Sequence, residues 1–210
     1  MFDPEEAREK LELGDLPVEF VPNSNIAPGT NIPVVVDPVS RDVQMFRWGL
    51  IPGWAKDPAI GYKMFNARAE TIDEKPSFRT AFQRRCCLIL ADGFYEWRVE
   101  EGRKFPYLFT LKERVPFTFA GVWETWRNKE GGVINSCTII TTDPNSLVIQ
   151  YHDRMPVIFA GQERWEWLED KPKDELKALL IPCSTEIMDE PRRLEKTIGK
   201  GISLREQSYN

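Results

Sequence analysis

His152 is the only histidine in 210 residues, and it stands in the run Tyr151-His152-Asp153-Arg154-Met155-Pro156-Val157-Ile158. Imidazole is the side chain best suited to move a proton near neutral pH, and Arg154 adds a fixed positive charge just before an apolar strand. A second polar group lies in Ala91-Asp92-Gly93-Phe94-Tyr95-Glu96-Trp97. A carboxylate between two aromatic residues loses solvation, which raises its pKa and suits a general acid or base; strand alternation equally allows Glu96 to face solvent. A third lies in Asn66-Ala67-Arg68-Ala69-Glu70-Thr71. The Asn66 amide can orient a reacting group, and Arg68 shares its face in an extended segment, where it can hold a phosphate. The other reading of that segment is a buried hydrogen-bonded loop. In Trp48-Gly49-Leu50-Ile51-Pro52-Gly53-Trp54, Gly and Pro bracket two indoles. That run reads as a stacking platform for unpaired bases or as a core turn sealed by Trp.

An amide, a carboxylate, an imidazole and two arginines make an active-site inventory that lacks a nucleophile. The four cysteines are Cys86, Cys87, Cys137 and Cys183. Cys86 and Cys87 lie in an apolar strand, where thiols are usually inert packing. None has Cys-x-x-Cys spacing, and one histidine does not complete a usual zinc set, so neither metal nor cofactor is expected. Reduced thiols fit a cytoplasmic protein. No apolar run approaches the ~18 residues of a membrane span, and the acidic N-terminus is unlike a signal peptide. The net charge of −5 argues against a broadly basic nucleic-acid coat. It leaves room for a local basic groove built from Arg68, Arg79, Arg84, Arg85 and Arg154.

The elements that must position these groups follow from pattern. Asp3-Pro4-Glu5-Glu6 reads as a capped helix start, with Ala7 and Leu11 on the buried stripe. Strands are expected at 32–36, 43–48, 86–90, 94–99, 106–111, 117–123, 133–141 and 155–159, with hairpin turns at Glu100-Glu101-Gly102 and 128–132. Residues 49–75 read as mostly irregular. Helices are expected at 77–84, from the Asp143-Pro144 cap towards Tyr151, at 163–168 and at 173–180. The fold class is α+β: mostly antiparallel strands in a curled sheet with peripheral helices, one domain over 1–188 and a charged tail over 189–210.

In these motifs the chain resembles the SOS-response-associated peptidase (SRAP) family, also described as abasic-site processing proteins. The resemblance runs from about Asn25 to Ile158. It is carried by Asn25-Ile26-Ala27-Pro28, Trp48 to Trp54, Asn66 to Thr71, Arg85-Cys86 with Ala91 to Trp97, Ala120-Gly121-Val122-Trp123-Glu124, Thr138 to Asp143, and His152 to Val157. It implies a pseudo-barrel, binding of single-stranded DNA by a monomer, and covalent capture of abasic sites during the SOS response, on the nucleoid after DNA damage. In the family a cysteine made N-terminal by loss of the initiator Met forms an imine with the sugar aldehyde, then a thiazolidine. The resemblance gives Glu96 a proton shuttle, His152 a part in sugar ring opening and reversal, and Asn66 the positioning of that cysteine. Arg68 and Arg154 would hold flanking phosphates, with Trp48, Trp54 and Pro28 also on the DNA side. Family members open Met-Cys-Gly-Arg, whereas this sequence opens Met1-Phe2-Asp3-Pro4, and the expectation is that a short N-terminal segment is absent. Two other readings are a cysteine peptidase acting on other proteins through Cys86 or Cys87 with His152, and a non-catalytic single-stranded DNA-binding module.

Overall fold

The computed structural model describes residues 3–194. Asp3 Oδ1 accepts the backbone N–H groups of Glu5 and Glu6 at 2.9 and 3.2 Å, and Pro4 opens helix α1 (Pro4–Lys10). Strands β1 (Asn31–Val35), β2 (Val43–Trp48) and β3 (Asn66–Arg68) precede helix α2 (Arg79–Arg84). Then come β4 (Cys86–Ala91), β5 (Phe94–Glu100), β6 (Arg103–Phe109), β7 (Phe117–Arg127), β8 (Val133–Thr142), β9 (Met155–Pro156) and β10 (Ile158–Phe159). Helices α3 (Glu163–Leu168) and α4 (Lys173–Ala178) and a short strand β11 (Arg192–Arg193) complete the described chain.

Strands β1, β2, β8, β7 and β4 are hydrogen-bonded in a closed circuit. The ring is a pseudo-barrel, because the β2–β8 seam is parallel and, like β1–β4, spans only two residue pairs. Strict alternation along the strands feeds two separate cores. Val35, Leu88, Leu90, Ala120, Val122 and Ile140 face one, which the helices cover with Phe82 and Trp167. Val34, Cys87, Ile89, Phe119, Cys137 and Ile139 face the other. A second sheet, in the order β11-β6-β5, lends Phe94, Tyr107 and Phe109 to that second core. Its β5–β6 hairpin turns on Glu101 and Gly102, both at positive φ (49° and 75°), as a two-residue turn requires.

The α+β class and the curled, mostly antiparallel arrangement are observed, with differences of detail. The strands lie in two sheets rather than one. The stretch read as irregular contains β3, which runs parallel to β8. The strand expected at 155–159 is two short strands: β9 pairs with β8 and β10 with β7, and Val157 between them donates to Ile140 and accepts from Ala120. The helix expected after Asp143 is reduced to a single 3-10 turn, Val148–Gln150. No side chain caps it; Asn145 Oδ1 orders the turn just before it, accepting the N–H groups of Leu147 and Val148 at 3.1 and 3.0 Å. At the start of the expected tail, Asp189 and Leu194 donate to Thr110 and Pro106, and β11 pairs with β6; residues 195–210 lie outside the described residues.

Candidate functional site

Glu96 sits on the inward face of β5, directly across from Tyr107 on β6, and is 9% exposed. Of the two orientations that alternation allowed, the structure therefore has the buried one. Burial, the larger effect, and the nearby negative charge of Asp153 push the Glu96 carboxyl up to about 8, against one backbone N–H from Trp97. The group thus carries its proton at neutral pH, the state of a general acid.

The hairpin meets the His152 segment through aromatic rings. Tyr107 lies 4.7 Å from the ring of Tyr151, Phe109 meets the same ring edge-on at 5.2 Å, and the Arg98 guanidinium covers it at 5.4 Å. The next residue is His152, whose side chain is 22% exposed. The backbone N–H of Arg154 donates to its Nδ1 at 3.0 Å. Nδ1 also lies 3.3 Å from the Arg154 carbonyl, so whether it accepts or donates follows the ring's tautomer. Asp153 Oδ1 lies 3.2 Å from Nδ1, where it can pair with the imidazolium. Asp153 therefore acts on both candidate proton carriers.

Asn66 is half-buried at the start of β3, alongside Ile139 of β8. Trp48 fixes the residue before it: the indole Nε1 donates to the Phe65 carbonyl at 2.7 Å, and the two rings meet edge-on. The Ile139 N–H takes the same carbonyl at 3.1 Å. Trp48 also binds the Pro28 loop, accepting from Gly29 and donating to Thr30 through its backbone. The two indoles of the Trp48–Trp54 run thus differ. Trp48 is part of the frame, whereas Trp54 is 62% exposed beside an open hollow of about 360 Å³ bounded by Lys56, Ile60 and Lys63.

Arg68 is exposed at the end of β3, and its charge reaches Glu70. Arg154 is largely covered, at 11% side-chain exposure, and grips Glu70 with two parallel N–H bonds of 2.9 Å. It also donates to Asp143 Oδ1 at 2.9 Å and to the Thr141 carbonyl at 2.8 Å. The site thus gathers Glu96, His152 and Asp153 on one side, and Arg68, Arg154, Glu70 and Asp143 at the end of β8. Glu70, Asp143, Asp153, Tyr107 and Tyr151 were not read from sequence as site residues, Asp143 only as a helix cap. The internal thiols are unsuited to attack. Burial raises Cys86 to about 12, Cys183 to about 11, and Cys87 and Cys137 well above the usual thiol range. Among the described residues, no group of three or more His, Cys, Asp or Glu side chains is placed to hold a metal ion, and no helix is long and apolar enough to cross a membrane.

Comparison with known proteins bears on what this arrangement serves. The model of the SOS response associated peptidase (SRAP) family matches residues 1–200. Abasic site processing protein YoaM of Bacillus subtilis (strain 168) is 46% identical over 175 residues, covering 81% of this chain and 77% of that protein. Abasic site processing protein HMCES of Xenopus tropicalis is 33% identical over 196 residues, covering 77% of this chain and 58% of the longer frog protein. Among solved structures, a protein from Bordetella bronchiseptica superposes with a TM-score of 0.82 at 27% identity, covering 93% of this chain and 97% of that one. One from Bacteroides thetaiotaomicron gives 0.73 at 37% identity, covering 77% and 72%. By its motifs, its fold and a family match that spans nearly its whole length, this chain belongs to the SOS response associated peptidase family.

Proposed function

We propose that this protein binds single-stranded DNA and, given an N-terminal cysteine exposed by self-removal of the preceding residue as the family resemblance implies, captures abasic sites as a covalent DNA–protein link; Met1-Phe2 of this sequence does not supply that cysteine. The observation that carries the reading is Glu96, buried and proton-bearing, held beside the His152-Asp153 pair. The names of the relatives, abasic site processing proteins, agree with it.

Each role follows from proton chemistry. An abasic sugar must open to its aldehyde, and a proton given to the ring oxygen assists; the imidazolium form of His152, paired with Asp153, can give that proton. The N-terminal amine adds to the aldehyde carbon, and water must leave to give the imine. Glu96 holds a proton at neutral pH and can give it to the departing hydroxyl. The thiol then adds across the C=N bond, its proton passes to nitrogen, and a five-membered thiazolidine closes. Only a residue with both a free α-amine and a thiol can do this. Cys86, Cys87, Cys137 and Cys183 are internal, with amide nitrogens. Asn66 would orient the attacking residue, Arg68 and Arg154 would hold flanking phosphates, and Trp54 would stack a base with Trp48 and Pro28 beneath the strand.

The test places Cys-Gly-Arg ahead of Phe2, behind a removable Met, and mixes the protein with single-stranded DNA carrying one abasic site. A crosslink that survives heating on a denaturing gel is expected, and none with Ala in place of the new Cys. Glu96→Gln in the same protein should slow crosslinking by roughly a hundredfold. A Cys-bearing protein that folds and forms no crosslink would overturn the proposal.

A further inference from the structure

We propose that Asp143 is a specificity-determining residue: it occupies Arg154 in place of a phosphate, and a DNA strand must displace it. The proposal rests on the reading above that Arg154 faces the strand.

Topology brings the three charged groups together. Thr141 of β8 is flanked by Arg68 of β3 on one edge and Pro156 of β9 on the other. Strand β3 runs parallel to β8, so Glu70 continues past its end. Strand β9 runs antiparallel, so Arg154 arrives at the same end from the opposite side. Asp143 is the first residue beyond β8. All three therefore meet at one point, with the Thr141 carbonyl beneath them.

At that point the guanidinium has no outward N–H left. Its terminal nitrogens donate four times: twice to Glu70, once to Asp143 and once to Thr141. Its Nε is buried without an acceptor. A phosphate oxygen can reach this arginine only by replacing one of those acceptors. They are not equal. Thr141 offers backbone inside the sheet, and Glu70 grips with both oxygens. Asp143 makes one bond from a side chain that is 82% exposed, the weakest and most accessible of the set. Charge points the same way: Arg154 meets both Glu70 and Asp143, and Arg68 acts on Glu70, so the charges of these four side chains cancel while Asp143 is seated. Displacing Asp143 exposes net positive charge only where a phosphate takes its place. Phosphates are common to damaged and intact strands, so a brake on phosphate binding leaves the lesion itself to decide which strands are retained.

The experiment measures binding of a fluorescein-labelled intact oligothymidylate by anisotropy, for wild type, Asp143→Asn, Arg154→Gln and the double variant. Asp143→Asn should bind intact DNA 3- to 10-fold more tightly at about 50 mM salt, with a steeper salt dependence because no freed carboxylate recaptures a cation. The gain should vanish in the Arg154→Gln background. A gain that persists without Arg154, or no gain from Asp143→Asn alone, overturns the proposal. The steeper slope of the single variant supplies the reading if Arg154→Gln does not fold. Wild-type protein with no salt-dependent binding of single strands would instead remove the functional reading itself.

Discussion

A carboxylic acid at position 96 loses by ionising in the folded protein. Its neighbours are aromatic rings, one backbone N–H and the charge of Asp153, so the acid form is favoured up to about pH 8, against the usual 4.5 in an unfolded chain. Linkage then fixes a sign. Between those two values the unfolded chain has released the proton and the folded chain has not. Stability contributed at this position is therefore greatest below about 4.5, falls as pH rises, and levels off above about 8. Glu96→Gln keeps the shape and removes the titration. The stability of wild type relative to Glu96→Gln should decline by roughly 4 kcal/mol from pH 5 to pH 8.5, read from urea unfolding across that range. Parallel stability curves for the two proteins would mean that the carboxyl is not held neutral, and Glu96 would lose its claim to be the acid. The hairpin was legible but its register was not: a turn over Glu100-Glu101-Gly102 would set Glu96 against Pro106, and the two-residue turn on Glu101 and Gly102 sets it against Tyr107 instead. Nor was the influence of Asp153 legible, because it comes through space from a segment more than fifty residues away.

At the scale of elements, the Trp48–Trp54 run divides into a frame and an exposed ring. The Trp48 N–H is spent on the Phe65 carbonyl, one residue ahead of Asn66, and Trp126 Nε1 holds the far end of the run through the Ala55 carbonyl at 2.7 Å. Ser136 Oγ accepts the Ile51 N–H at 2.8 Å in the interior. Trp48→Phe keeps a ring and deletes one hydrogen bond, while Ile139 still donates to that carbonyl. It should lower unfolding stability by about 1 kcal/mol. Trp54→Ala should change stability by less than about 0.5 kcal/mol but weaken single-strand binding by about 1–3 kcal/mol, the range of one stacked base. Equal destabilisation by the two variants, or an unchanged affinity after Trp54→Ala, would show that the division is wrong. Long strands such as β4, β7 and β8 could be read because each alternates between two cores over many residues. Strand β3 could not: it is three residues long and exists because β8 offers it an edge. Likewise the Asp143-Pro144 cap failed: the Asp143 carboxylate bonds Arg154, and Asn145 orders the turn that follows. Where a side chain is claimed by a distant partner, local propensity is a poor guide.

For the whole molecule, the question is whether the strand circuit behaves as one unit. Strand β7 is its hinge, paired with β4 on one edge and with β8 on the other. Gly121 lies where both pairings hold, opposite Cys87 and Ile139. A methyl group there would stand 2.8 Å from Ile89 Cδ1, 2.8 Å from the Thr138 carbonyl oxygen and 3.0 Å from Cys87 Sγ. Ile89 can turn aside, but the carbonyl belongs to β8 and cannot move without opening the seam. The Gly121 carbonyl also accepts from Trp167 of α3 at 3.2 Å, so a shift of β7 disturbs the helical layer on the opposite face. Gly121→Ala should therefore lower unfolding stability by roughly 1–3 kcal/mol, the range for forced overpacking. The loss should appear as one cooperative transition. Two probes can check it: far-UV circular dichroism, which follows the sheets, and tryptophan fluorescence, to which fully buried Trp167 contributes. Coincident midpoints shifted together are expected. Separate midpoints would mean that the helical layer melts apart from the ring. Glu96 and the Arg154 junction would then lack the common rigid frame on which both proposals depend, since Tyr107 and Tyr151 join them only through packing on that ring.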